Sequence, residues 1–262
     1  MRRIRTVANI VWLEMLRRKD LYVLLILLVA LLFTLLSLNI FGLGSVVGFV
    51  KDAGLIAAWL FSWILAVSVA SRQLPQEESR GTILPLLAKP IRRGELIVGK
   101  WLGTWSVVSV AVLCFYLLTA IMVWSHGGRF ELLALTQAIM LHFAVLGIVS
   151  ALAIALSVRF HQDATATLTY VLTATMYLIV PRIPEIILPA QGWRQTALYI
   201  LYGTLPHFEL FDMRRRVVHQ YGPMPWGFFG VTLLYGATLI SILLIIAWMG
   251  FRRKHFSRSN QD

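Results

Sequence analysis

Six stretches of this 262-residue chain contain no Asp, Glu, Lys or Arg: 21–50, 53–71, 101–128, 132–158, 164–181 and 217–251. About 17 to 25 helical residues suffice to cross the hydrocarbon core of a bilayer, and each stretch reaches that length. The expected fold is therefore an all-α integral membrane protein with six transmembrane helices, forming a single transmembrane domain over 1–262. With 58% hydrophobic and only 14% charged residues, the chain has too little charge to coat a soluble domain of its size.

The net charge of +12 could point to nucleic acid, but its placement reports topology instead. With both termini cytoplasmic, seventeen Lys and Arg fall in inside segments and seven in outside segments, which is the positive-inside asymmetry. Nucleic acid is not required. The first apolar run is too long for the core of a cleavable signal peptide, so it is expected to stay as an anchor. Cys114 is the only cysteine, which rules out an intrachain disulfide.

Within this frame several spacings stand out. In residues 1–19, Ile4, Val7, Ala8, Val11, Trp12 and Met15 share one helical face, which predicts an amphipathic helix lying in the membrane interface. Gly54, Ala58, Ser62, Ala66 and Ala70 recur every fourth residue in the second span, making a ridge of small residues for close helix contact. That ridge could meet its own bundle or a second subunit. Thr165, Thr169, Thr173 and Tyr177 repeat at the same interval in the fifth span; they either bond their own helix carbonyls or wall a passage. His142, alone in the fourth span, is either a functional group or a neutral, hydrogen-bonded core histidine.

The connection 182–226 is an extracytoplasmic loop broken by prolines, with an apolar piece at 195–205 too short to span and read as re-entrant or interfacial. Arg214, Arg215 and Arg216 stand there against the charge rule, facing lipid headgroups or substrate. His207, Glu209, Asp212 and His219 lie in the same loop without a fixed metal-ligand spacing and read as scattered polar residues. No nucleophile stands beside a base, so the chain does not read as an enzyme.

The densest charged segment is the cytoplasmic hairpin 72–100, RQLPQEESRGTILPLLAKPIRRGELIVGK. Its end, GELIVGKW, is one residue from a phosphate-binding loop: Gly94, Gly99 and Lys100 are in register, but Trp101 stands where a hydroxyl must ligate magnesium. A nucleotide site within this chain is therefore not expected. Leu84, Leu86 and Leu87 form an apolar knob in an otherwise water-facing segment, the kind of feature that docks into a groove on another protein.

The hairpin resembles the first cytoplasmic loop of ABC transporter permeases of the type-two exporter class, the ABC-2 family. The matching positions are Glu77, Glu78, Arg80, Gly81, Thr82, Leu86, Leu87, Pro90, Arg93, Glu95, Gly99 and Lys100, with Pro85 as a departure inside the Leu stretch. The resemblance implies a coupling helix between spans two and three that docks on a separate ATPase, two ATPase subunits per complex, and ATP and Mg bound by that partner. It further implies a second permease copy or a paralogue, with a pathway or dimer interface drawn from Gly54, Ala58, Ser62, Ala66, Thr165, Thr169, Thr173 and Tyr177. The location it implies is the cytoplasmic membrane of a bacterium. With no charged residue in the spans, a lipid, hydrophobic or amphipathic cargo is favoured over a bare ion. The alternative is a mechanotransmitter that drives an extracytoplasmic accessory protein and moves no substrate. On either reading, charge reversal at Glu77 and Glu78 is expected to uncouple the ATPase without unfolding the permease.

Overall fold

The structure, a computed structural model, describes residues 2–17, 19–37, 46–79, 92–189 and 191–253, which are helix, turn and loop with no strand among them. The helices run α1 (Arg2–Arg17), α2 (Asp20–Ser37), α3 (Val46–Ala70), α4 (Pro75–Ser79), α5 (Arg93–Ser125), α6 (Leu132–Ser157), α7 (Gln162–Leu178), α8 (Ile183–Ile187), α9 (Trp193–Thr204), α10 (Arg214–Val218) and α11 (Trp226–Arg252). Among the described residues, five segments are long and apolar enough to cross a membrane: Val47–Ser79, Arg93–Ser125, Leu132–Ser157, Gln162–Ile187 and Trp226–Arg252. The first expected crossing falls on α2, whose apolar helix is shorter, Tyr22–Thr34.

Helices α5 and α6 form the centre of the bundle. α5 packs on α1 and α3, and α6 packs on α11. Leu65, Val108, Phe115 and Leu141 are fully enclosed between α3, α5 and α6. Many apolar side chains on the outer faces, such as Leu117, Val171 and Phe228, are exposed, as a lipid-facing surface requires.

The helix starts differ from those expected at two places. The charge-free stretch of the second span starts at residue 53, but α3 begins at Val46 and carries Lys51 in its second turn, 5% exposed. The ammonium is accommodated because it donates to the Arg129 carbonyl and sits 4.9 Å from the Phe130 ring centroid. α5 likewise starts inside the hairpin, at Arg93. There the Glu95 carboxylate accepts the Arg92 backbone N–H at 2.8 Å, capping the first turn. Arg93 reaches the other way: its guanidinium donates to the Phe251 and Arg252 carbonyls, at 3.0 and 2.8 Å, where α11 runs out of helical partners.

α1 carries the apolar stripe expected of it, but the stripe packs on protein. Val7, Val11 and Met15 are buried, and Trp12 donates its indole N–H to the Ser106 hydroxyl of α5 at 2.8 Å. The approach is close because α5 presents glycines. A Cβ at Gly99 would lie 2.7 Å from Val7 Cβ, and one at Gly103 would lie 2.8 Å from Val11 Cβ. The short helix expected within 195–205 is α9, of 12 residues, with none of them buried. Its Leu198 and Tyr202 pack on a small cluster of Val180, Ile183 and Ile187.

Two ends of the bundle emerge from these contacts. One gathers α1, the hairpin arms and the end of α11. The far end gathers the start of α3, the α5–α6 connection and the segment from α8 to the start of α11, where Gln137 and Met224 exchange two hydrogen bonds of 2.7 and 3.0 Å.

Candidate functional site

The hairpin is anchored where its two arms enter the bundle. Glu77 and Glu78 lie on α4, while Arg93, Glu95, Gly99 and Lys100 lie on α5. Arg80, Gly81, Thr82, Leu86, Leu87 and Pro90 fall outside the described residues, as do Leu84 and Pro85. Lys100 and Glu77 form an ion pair with side chains only 3% and 16% exposed, joining the two arms directly. Glu95 lies 3.9 Å from Arg3 of α1. Gln76 donates to the Gln162 amide oxygen at 3.0 Å, tying α4 to the start of α7. A displacement of the hairpin base thus meets α1, α5 and α7 together.

The near-miss GELIVGKW has a packing role. Gly94, Gly99 and Lys100 are all helical, so the Gly99 and Lys100 amides that would cradle a phosphate are taken up inside α5. Trp101 donates its indole N–H to the Gly147 carbonyl of α6 at 3.0 Å, and Trp105 does the same to Phe143 at 2.8 Å.

The small-residue ridge of α3 faces the chain's own bundle. Ala58, Ser62, Ala66 and Ala70 are fully buried, and a Cβ at Gly54 would lie 2.6 Å from Thr119 of α5. Ser62 contacts His142 of α6, with Oγ 2.9 Å from Nε2. The Ser62 hydroxyl also lies 3.0 Å from the Trp59 carbonyl, one turn back on its own helix. The ring stacks on Trp59, with centroids 4.2 Å apart and planes 10° from parallel. Tyr116 meets it edge-on at 5.7 Å. His142 is thus a fully enclosed imidazole that holds α3 to α6. Ser62→Ala, which takes the hydrogen-bond partner from the buried Nε2 of His142, is expected to cost about 1–3 kcal/mol, read as a lower unfolding temperature of the detergent-solubilised protein. A change indistinguishable from zero would mean that water reaches the ring.

Two of the α7 threonines bond within their own helix, and Thr165 bonds the turn that leads into it. Thr169 donates to the Thr165 carbonyl at 2.7 Å, Thr173 to the Thr169 carbonyl at 2.6 Å, and Thr165 to the Phe160 carbonyl at 3.2 Å. Thr173 also accepts the Trp63 indole N–H at 2.9 Å, and Tyr170 donates to the Ile64 carbonyl at 3.1 Å, so this face seals α7 to α3. Further along the same face, Thr173 and Tyr177 line a cavity of about 230 Å³ between α3, α6 and α7, at whose far end stand Phe208 and Arg214.

Arg214 is the basic residue of the far-end segment that reaches this cavity. Its Nε and Nη2 take the Asp212 carboxylate in a fork, at 2.6 to 3.1 Å, and its guanidinium carbon lies 5.1 Å from the Trp59 ring centroid. Burial works against the charge, but hydrogen bonding and attraction from Asp212 more than offset it and hold the pKa above the usual arginine range. Arg215 and Arg216 point to solvent. The other polar residues of the segment go separate ways: the His207 backbone N–H donates to the Tyr235 hydroxyl at 3.1 Å, and no metal-holding group of three acidic, His or Cys side chains occurs among the described residues. Spacing alone did not single out Trp59 or the partner of Arg214; the available signal was an arginine triplet standing against the charge rule.

A bundle of long apolar helices with a charged hairpin base at one end fits a multi-pass membrane protein. Residues 56–252 match the family model of the ABC-2 family transporter proteins, and the chain belongs to that family. Over 97 residues it is 34% identical to the Probable ABC transporter permease protein NosY of Pseudomonas aeruginosa, an alignment covering 34% of this chain and 35% of that relative. The chain thus spans about a third of the length of the curated relative it matches.

Proposed function

We propose that the chain is the membrane-spanning subunit of an ATP-driven exporter, with six crossings, both termini in the cytoplasm of a bacterium, and the hairpin 72–100 docked on a separate ATPase. Two ATPase subunits and a second permease copy or paralogue complete the complex, and ATP with its Mg is held by the ATPases. The cargo is a lipid or another hydrophobic or amphipathic compound.

The observation that carries this reading is the construction of the hairpin base. The ion pair of Glu77 with Lys100 joins the arms, and the Gly99 and Gly103 seam joins α5 to α1. A push on the hairpin tip would therefore move a tied unit of α1, α4 and α5. Glu77 is committed inside the protein, so its reversal tests folding before coupling; exposed Glu78 is the cleaner probe. In a reconstituted complex, Glu78→Lys is expected to reduce permease-stimulated ATP hydrolysis by about fivefold or more, with the permease's unfolding temperature unchanged. Unaltered stimulation would remove Glu78 from the contact. ATP hydrolysis by the purified permease alone would overturn the division of labour.

A further inference from the structure

We propose that the cavity between α3, α6 and α7 holds the apolar tail of a monoanionic amphiphile whose head rests on the Arg214 guanidinium. The inference rests on the permease reading and narrows its cargo class. The cavity wall is apolar and aromatic, with Leu60, Trp63, Val145 and Val149 facing it. At 230 Å³ it is smaller than the roughly 300–1,000 Å³ of a pocket for a drug-sized body, so it suits one slender chain.

The polar groups at one end give the tail a direction. Asp212 occupies Nε and Nη2 of Arg214, while Nη1 makes no hydrogen bond with any described residue. The Tyr177 hydroxyl, also on the wall, is buried and without a hydrogen-bond partner among the described residues. An acceptor head placed there would satisfy both donors, and an unsatisfied buried hydroxyl is otherwise costly. Arg215 and Arg216 add positive charge on the same helical turn, whereas Asp212 and Glu209 oppose it. That balance favours a single negative charge, a carboxylate or a phosphodiester, over a dianion.

Two sources supply this chemistry: a free fatty-acid-like cargo and an anionic bilayer lipid. The test uses the purified full-length permease in neutral detergent, with tryptophan fluorescence as the readout and mid-chain brominated probes as contact quenchers. The probes are a fatty acid, its methyl ester and phosphatidylglycerol. Saturable quenching by the acid or by phosphatidylglycerol, but not by the methyl ester, is expected, and whichever anion binds more tightly identifies the source. The quenched component should shrink in Trp63→Phe and leave the share contributed by Trp59, the other tryptophan on the wall. Affinity should fall about tenfold in Arg214→Gln and stay near that of the parent in Arg214→Lys. Ala174→Phe fills the cavity without touching the head site, and it should abolish saturation while the protein still melts cooperatively. Equal quenching by the methyl ester, or binding that survives both Arg214→Gln and Ala174→Phe, overturns the proposal. No ATPase is present in this assay, so a negative result removes the site and leaves the coupling reading standing.

Discussion

Lys100→Met is expected to destabilise the protein by about 3–5 kcal/mol, the usual cost of removing one member of a buried ion pair. The lysine side chain is 3% exposed and its partner 16%, so Glu77 would lose the ammonium that ties it to α5 at a poorly hydrated place. The penalty belongs to the cost of keeping a part-buried carboxylate charged more than to the lost attraction. Replacing both residues by Met should therefore recover most of the loss, since burying two ions costs nearly as much as their pairing returns. Denaturation of the single and double variants in detergent gives the coupling directly. A Lys100→Met protein as stable as the parent would show that water reaches the pair, and the hairpin arms would then lose their internal tie.

Gly103→Ala is expected to destabilise by about 1–3 kcal/mol, the range for overpacking. Helix propensity argues the opposite sign, because Ala in a helix interior is favoured over Gly by about 1 kcal/mol. The packing decides. The new Cβ would sit 2.8 Å from Val11 Cβ and 3.0 Å from the Ala8 Cα, a backbone atom that cannot rotate away. Helix α1 must then lift off α5, losing the Trp12 to Ser106 hydrogen bond. Proteolysis within α1 should accelerate in step with the lower unfolding temperature. Val11→Ala in the same background should rescue only in part, since it removes the Cγ2 contact at 2.9 Å but keeps the Cβ contact at 2.8 Å. Full recovery by Val11→Ala would mean that the contact lies further out along the side chain and that the glycine seam is looser than described.

The ridge of small residues on α3 was readable as a contact surface but not as a contact with a particular partner. Four-residue spacing tells which side chains share a face, and only the positions of α5 and α6 tell what covers that face. The same holds for His142. Its isolation in an apolar run marks it as unusual, while its role as a stacked, hydrogen-bonded link comes from Trp59 and Ser62, whose ring and hydroxyl reach it across a helix interface. Lys51 shows the reverse case. Charge alone left it out of the apolar stretch 53–71, and the Arg129 carbonyl and the Phe130 ring let it sit inside the helix.

What the amino-acid order determined by itself was the helical class, the apolar segments and the family resemblance carried by the hairpin. Each depends on local length, composition and spacing, because a chain in hydrocarbon has to close its backbone hydrogen bonds within its own segments. Tertiary structure decided the rest: that α1 turns its apolar stripe onto two glycines of α5, that Glu77 is held by Lys100, and that Arg214 reaches an aromatic cavity. Those pairings join residues distant in sequence, and in a bilayer, where apolar surface gains little by leaving lipid, they follow from shape and from the need of each buried polar group for a partner.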